Sequence, residues 1–189
     1  MFEQSKWFFY EFNKTFAEDS VYREKAVETY AHNTTFTSFI IDRINSIIKG
    51  KEGYISQNEY FRIDSMGYKS KWEELEKTNG LTPHLWDMEI AVEHENDDKD
   101  WLDEVIKLAH ISCPLRVVIG YVPEDKRSDD QNLLDYAANA LKRLKCVDNV
   151  TKGEFMIILG NSNTKGKVEN YFNYQAYVLD SNTFKFKTL

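Results

Sequence analysis

Apolar side chains recur at helical spacing at the start of the chain. Residues 1–20 carry an aromatic stripe that predicts a short amphipathic helix, formed by Phe2, Phe9, Phe12 and Phe16. Ser20 can cap the next helix, and the apolar stripe after it predicts one long helix from Val21 to Lys49, with Gly50 as its stop. Two helices are therefore expected before the first strand.

After Gly50 the period of the pattern changes to that of strands. Alternating or continuously apolar segments predict strands at 60–68, 88–95, 115–121, 154–159 and 171–179. Two helical patterns separate the later strands, at 100–110 and 129–145. Helices that alternate with apolar strands predict an α/β fold, namely an α/β sandwich with a central mixed β-sheet flanked by helices.

Composition narrows the class of protein. The chain has 189 residues, of which 42% are hydrophobic, so we expect a single domain over 1–189 and exclude disordered and collagen-like classes. The net charge of −7 argues against a general basic coat for nucleic acid. Two cysteines are too few for a disulfide framework, and the sequence shows neither a signal peptide nor a membrane-spanning apolar run. We therefore expect a cytoplasmic protein with no membrane partner.

The predicted strand at 88–95 carries most of the candidate chemistry. Strict alternation assigns Glu89, Ala91, Glu93 and Glu95 to one face and Met88, Ile90, Val92 and His94 to the other. Glu93 and Glu95 then lie close together, and two like charges at this spacing are costly unless a cation offsets them. Mg²⁺ prefers such oxygen ligands, whereas His94, on the opposite face, is expected to be buried or at an interface.

The preceding strand contributes Asp64, an acidic residue in an apolar and β-prone setting. If the strands at 60–68 and 88–95 pair, Asp64 can meet Glu93 across the ladder. Carboxylates of Asp64, Glu93 and Glu95 would then converge on one metal ion, which we expect to be Mg²⁺ or Mn²⁺. The alternative is that they are surface acids that discourage edge association, in which case Asp64 and Glu93 would lie far apart.

The order of these residues resembles the PD-(D/E)XK, or restriction-endonuclease-like, nuclease superfamily in a Glu-x-Glu variant. The resemblance is carried by Asp64, Glu93-His94-Glu95, a helix with Glu104 and Lys107, and the apolar strand at 115–121. It spans residues 21–121 by order of elements and implies an α-β-β-β-α-β core within a nuclease-like region at 21–180. In that superfamily a strand Asp and a following Glu hold Mg²⁺, and a residue two positions later helps to activate water.

Two positions depart from the superfamily pattern. Ile63 precedes Asp64 where the motif has proline, and Glu95 stands where the motif has lysine. Some members similarly carry Glu-x-Glu, and others recruit a lysine from the next helix, for which Lys107 is the candidate here. An ion pair with Asp103, four residues earlier, explains Lys107 equally well.

The resemblance implies a metal-dependent nuclease that hydrolyses phosphodiester bonds in DNA or RNA, with DNA as the expected partner. Asp64, Glu93 and Glu95 would bind the metal, Glu95 would alternatively take a proton from the attacking water, and Lys107 would steady the developing charge. The alternative is a catalytically inactive nuclease-fold module that binds protein or nucleic acid, which the missing lysine and the net charge of −7 favour. A homodimer is a further expectation that the sequence leaves open.

Overall fold

The computed structural model describes residues 2–30, 32–70, 86–97, 100–162 and 170–189. The α-helices in these ranges are α1 (Glu3–Lys14), α2 (Arg23–Tyr30), α3 (Asn33–Lys49), α4 (Trp101–Ala109), α5 (Asp130–Lys142) and α6 (Val147–Val150). The strands are β1 (Ile55–Tyr60), β2 (Ile63–Ser70), β3 (Trp86–His94), β4 (Leu115–Pro123), β5 (Glu154–Ser162), β6 (Gln175–Asp180) and β7 (Lys185–Thr188). A 3₁₀ turn at Glu124–Asp129 leads into α5. None of the described helices is long and apolar enough to cross a membrane.

The strands form one seven-stranded mixed sheet whose spatial order is the order of the chain, from β1 to β7. The pairs β3–β4 and β4–β5 are parallel, and every other neighbouring pair is antiparallel. Parallel neighbours need a crossover, and α4 and α5 supply it. The predicted α/β class with a central mixed sheet is therefore confirmed.

Helices cover both faces of the sheet. On one face the buried side chains of α1 and α3 pack on the inward residues of the strands, among them Phe8, Phe12, Ile40 and Ile44. On the other face α4 and α5 do the same with Trp101, Val105, Leu108, Leu134 and Leu141. Strand β4 is buried along its length except at Pro123, which explains its continuous apolar run. We call these two layers the α3 face and the α4 face.

The long helix predicted from Val21 to Lys49 is wrong in one respect, because the structure has two helices there. Helix α2 ends at Tyr30 and α3 begins at Asn33. Between them His32 adopts an extended backbone, with φ −127° and ψ 100°, which a continuous helix does not permit. The apolar stripe continues across the break, so periodicity alone could not reveal it.

The strand predicted at 60–68 is also wrong at its start. Residues 55–60 and 63–70 form a hairpin, and Tyr60 pairs with Ile63 across the turn. Strand β1 lies at the edge of the sheet and is mostly exposed, with the polar sequence Ile-Ser-Gln-Asn-Glu-Tyr, so it carries no apolar alternation to detect. Strand β7, at the opposite edge, was not predicted although Phe184 and Phe186 alternate with lysines there, because the alternating segment is only a few residues long.

Strict alternation along β3 is wrong because the strand is irregular near Glu89. The pairing register with β2 shifts between Gly67 and Tyr68, which face Ile90 and Met88. Met88 consequently packs with Ala91 on the α4 face, and not with Ile90 as the pattern suggests. From Ile90 onwards the alternation holds, and this half of the strand positions the candidate site.

Candidate active site

The antiparallel pairing of β2 and β3 brings Asp64 and Glu93 together on the α4 face. Ser65 pairs with Val92 and Met66 with Ala91, so the next step along the ladder sets Asp64 beside Glu93. The carboxylate of Asp64 is tied down there, because its Oδ2 accepts a 2.8 Å hydrogen bond from the backbone N–H of His94. The adjacent strands β2 and β3 thus place the carboxylates of Asp64 and Glu93 side by side.

Helix α4 adds Lys107 to this pair. Its Nζ lies 2.8 Å from Oε1 of Glu93 and 2.9 Å from Oε2 of Glu104. The helix is fixed by its buried side chains, including Trp101, whose ring approaches the backbone at Gly120 closely enough to exclude any larger residue there. The exposed fraction is 1% for the Glu93 side chain and 34% for that of Lys107, so Lys107 links a buried acid to solvent.

Burial dominates the electrostatics of this site. It raises the pKa of Glu93 to about 8 against the opposing hydrogen bond from Lys107, and the neighbouring Asp64 and Glu104 carboxylates raise it further. Burial also raises the pKa of Asp64, although the His94 N–H opposes this. For Lys107, burial acts to lower the pKa, but hydrogen bonds to Glu93 and Glu104 outweigh it and the pKa is raised. Three acids share one ammonium group, and the site holds excess negative charge that a proton or a cation relieves.

His94, the next residue along β3, faces the opposite side of the sheet. As the alternation predicts, it is buried, with 5% of its surface exposed. Its Nε2 lies 3.0 Å from the hydroxyl of Tyr121, which in turn lies 3.1 Å from the hydroxyl of Tyr174. Burial lowers the pKa of His94 to about 3, so the imidazole is neutral at physiological pH.

Glu95 does not join the pair formed by Asp64 and Glu93. Strand β3 ends at His94, and the backbone N–H of Glu95 donates to the carbonyl of Ile119. Its Oε1 accepts a 2.8 Å hydrogen bond from the backbone N–H of Asp97. Within the part of the chain that the structure describes, no three His, Cys, Asp or Glu side chains are grouped to hold a metal ion. Asp64 and Glu93 are therefore the two carboxylates that the paired strands bring together at this site.

Sequence reasoning missed the part that Glu104 plays. The alternative explanation of Lys107 was an ion pair with Asp103 on the same helix, but the structure pairs it with Glu104, three residues before it. Both spacings occur along one face of a helix, so the sequence does not choose between them. Only the direction in which Lys107 must reach to meet Glu93 decides the matter.

Comparison with known proteins does not identify a relative: the chain matches no protein-family model, no curated protein and no solved structure.

Proposed function

We propose that this protein is a divalent-metal-dependent nuclease that hydrolyses phosphodiester bonds, with a restriction-endonuclease-like core. The observation that carries the proposal is the meeting of Asp64 and Glu93 across β2 and β3 beside a lysine from the following helix. The run α3-β1-β2-β3-α4-β4, with β3 and β4 parallel, supports it because it has the order of elements expected for that core. DNA is the substrate we expect.

The side chains present suit a hard cation such as Mg²⁺ or Mn²⁺. Magnesium in proteins is held by one or two carboxylates, with water and substrate phosphate oxygens as its other ligands. Asp64 and Glu93 supply that number, and their excess negative charge at a buried position is what a cation offsets. When bound, the ion would polarise the phosphate and acidify a water molecule.

The remaining residues would orient and stabilise. The His94 N–H fixes one oxygen of Asp64, so this carboxylate is held ready before any ligand arrives. Lys107 presents a positive charge beside Glu93, where it can stabilise the negative charge that develops on the phosphate. Glu104 holds the ammonium group from its other side. Glu95 as a metal ligand or general base stays a prediction.

The test is cleavage of plasmid and single-stranded DNA by the purified protein with Mg²⁺ and with Mn²⁺. We expect Glu93→Gln to abolish cutting, because it removes a ligand while keeping the shape of the side chain. Glu89→Gln is the matched control, since Glu89 lies on the same strand but contacts Tyr54 on the α3 face. Equal cutting by the Glu93 variant and the wild type would reject this site.

A second candidate function is a catalytically inactive module that binds protein or nucleic acid. The position of Lys107 favours it, because an ammonium group 2.8 Å from the almost fully buried Glu93 can replace a metal ion permanently. Calorimetric titration separates the two functions. Heat of binding with millimolar Mg²⁺ in the wild type, absent in Glu93→Gln, supports the nuclease, and no heat in either protein supports the inactive module.

A further inference from the structure

The turn between β1 and β2 presents two large side chains to solvent. Tyr60 pairs with Ile63, so the turn consists of Phe61 and Arg62 alone, which we call the hairpin tip. Phe61 is 75% exposed and Arg62 is exposed as well. A protruding aromatic ring beside a guanidinium group is an uncommon choice for a two-residue turn, where small polar residues dominate.

The backbone of the hairpin tip makes this choice costly. Phe61 and Arg62 have φ of 52° and 62°, and Glu59, just before them, has φ of 53°. Side chains with a Cβ are strained in this left-handed region, which is why two-residue turns of this kind favour Asn-Gly. Three such residues within four positions store strain that glycine or asparagine would relieve.

Packing within the described chain does little to offset that strain. Phe61 meets the neighbouring Tyr60 edge-on, with ring centroids 4.5 Å apart, and three-quarters of its surface stays in contact with solvent. The fold therefore gains little from these two side chains, although it bears the strain of holding them. Backbone strain that no packing interaction offsets is typical of residues that take part in binding.

The hairpin tip also stands next to the candidate active site. Arg62 is followed by the fully buried Ile63 and then by Asp64. At the rise of a strand, the Cα atoms of Arg62 and Asp64 are at most about 7 Å apart. A nucleic acid strand with its phosphate at Asp64 and Glu93 would therefore bring a neighbouring nucleotide within reach of Phe61 and Arg62.

We propose that the hairpin tip is a nucleotide-binding subsite, in which Phe61 stacks on an unpaired base and Arg62 contacts an adjoining phosphate. This inference rests on the proposed nuclease function and adds the substrate class: nucleic acid with an unpaired nucleotide beside the scissile bond. An exposed ring can stack only on a base whose face is open, as in single strands, loops and ends. An intact duplex hides those faces.

The first test measures binding of a fluorescently labelled single-stranded oligonucleotide by fluorescence anisotropy. A chelator is present to prevent metal-dependent cutting. We expect Phe61→Ala to weaken binding about tenfold, the size of one base–aromatic stack, and Phe61→Tyr to retain it. Arg62→Ala should weaken binding and reduce its dependence on salt. A duplex of the same sequence should bind more weakly than the single strand to the wild type. Equal affinity of wild type and Phe61→Ala for the single strand would overturn the subsite.

The second test uses the backbone strain itself. Replacing the two turn residues should raise the stability of the protein, because it relieves strain, and lower its affinity for the oligonucleotide, because it removes the binding side chains. The double change Phe61→Asn with Arg62→Gly should raise the melting temperature while it lowers affinity for the oligonucleotide. Glu59→Asn is the matched control, since it relieves strain in the same hairpin and keeps both binding side chains. It should raise the melting temperature without loss of affinity. A double variant that melts no higher than the wild type would overturn the strain argument.

Failure of the subsite and failure of the nuclease proposal give different results. If the protein cuts DNA and Phe61→Ala cuts with an unchanged KM, only the subsite is rejected. If the wild type binds single strands through Phe61 but never cuts, only the nuclease is rejected. If Phe61→Ala instead abolishes self-association in analytical ultracentrifugation and leaves oligonucleotide binding intact, the hairpin tip is a protein contact and the subsite is rejected.

Discussion

Glu93 and His94 are consecutive residues of β3, both almost fully buried, yet they stand in opposite surroundings. On the α4 face, Glu93 meets Asp64, Lys107 and Glu104, all of them ionisable. On the α3 face, His94 meets the hydroxyl of Tyr121 and the ring of Phe36. Burial disfavours the charged form of both, but it raises the pKa of Glu93 to about 8 and lowers that of His94 to about 3. The same physical cause leaves one residue poised near neutral pH and the other inert.

The difference shows that burial alone does not make a residue functional. Nε2 of His94 lies against a neutral hydroxyl, its Nδ1 has no hydrogen-bond partner among the described residues, and burial is the one cause of its lowered pKa. Glu93 is surrounded by charges that do not cancel, because three acids face one ammonium group. A buried position with unbalanced charge invites a proton or an ion, and this separates a candidate active site from a stabilising contact.

The largest effect should come from Lys107→Met, which removes the one cation that contacts Glu93 among the described residues. We expect the free energy of unfolding at pH 9, above the Glu93 pKa of about 8, to fall by about 3 kcal/mol. This is the low end for breaking a buried ion pair, because Lys107 is partly exposed. Guanidinium denaturation measures it, and Lys6→Met, at an exposed position of α1, should change little. Adding Glu93→Gln should recover part of the loss, and a Lys107 variant as stable as the wild type would contradict the electrostatic comparison.

A smaller effect should appear in the pH dependence of stability. Glu93 has a pKa near 4.5 when unfolded and about 8 when folded, so between these values the folded state holds more protons. Stability from this group is complete below pH 4.5 and is lost as pH rises towards 8. We expect the free energy of unfolding to fall by about 2 kcal/mol between pH 5.5 and pH 7.

The raised pKa of Asp64 acts in the same direction, and that of Lys107 lies above this window. Denaturation of Glu93→Gln across the same pH range should give a flatter profile than the wild type. A wild-type profile that rises with pH would show that Glu93 is ionised in the folded protein.

Tyr121→Phe tests the α3 face and should have a smaller effect still. It removes the hydroxyl that lies between His94 and Tyr174, at a cost of about 1 to 2 kcal/mol of unfolding free energy. The loss should be the same at pH 5 and pH 8, because no group in this network titrates between them. Tyr136→Phe, at an exposed site of α5, is the control and should be neutral. A pH-dependent loss would mean that the α3 face also carries labile charge.

The smallest expected effect is an absence of titration. In an NMR titration from pH 5 to pH 8, the ring signals of His94 should not move, since its pKa of about 3 lies below the range. His94→Gln identifies the resonance to follow. If that resonance shifted with an apparent pKa between 5 and 8, His94 would titrate near neutral pH as Glu93 does, and the contrast between the α3 face and the α4 face would be wrong.

The strongly patterned parts of this molecule could be predicted from the sequence, and the edge and irregular parts could not. The apolar run of β4 and the stripes of α4 and α5 locate the central layers, because burial on both faces of a sheet leaves a clear signal. Strand β1 is mostly exposed and therefore has no apolar alternation that would predict it. The apolar stripe of the helices continues across the break before α3, so the hydrophobic pattern does not show the break. The irregularity at Glu89 depends on the partner strand and is not encoded in β3 alone.

The candidate site divides in the same way. The pairing of Asp64 with Glu93 follows from the ladder once two strands are assumed to be neighbours, and the structure brings those two residues together. Strand alternation places Glu95 on the same face as Glu93, but β3 ends one residue before Glu95. Beyond the end of a strand, alternation no longer predicts which face a side chain occupies. The contact of Lys107 with Glu93 depends on how α4 is placed over the sheet, which only tertiary structure determines.

The order of the strands has a consequence for how the chain is made. Each described strand pairs with the strands before and after it in the sequence, so each new strand leaving the ribosome finds its neighbour already made. Helix α1 is the exception, since the backbone N–H of Ser5 donates to the carboxylate of Glu154 on β5. Because α1 is synthesised before the whole sheet, its Phe12 ring cannot reach its final neighbour Tyr174 until the chain beyond β5 has been made.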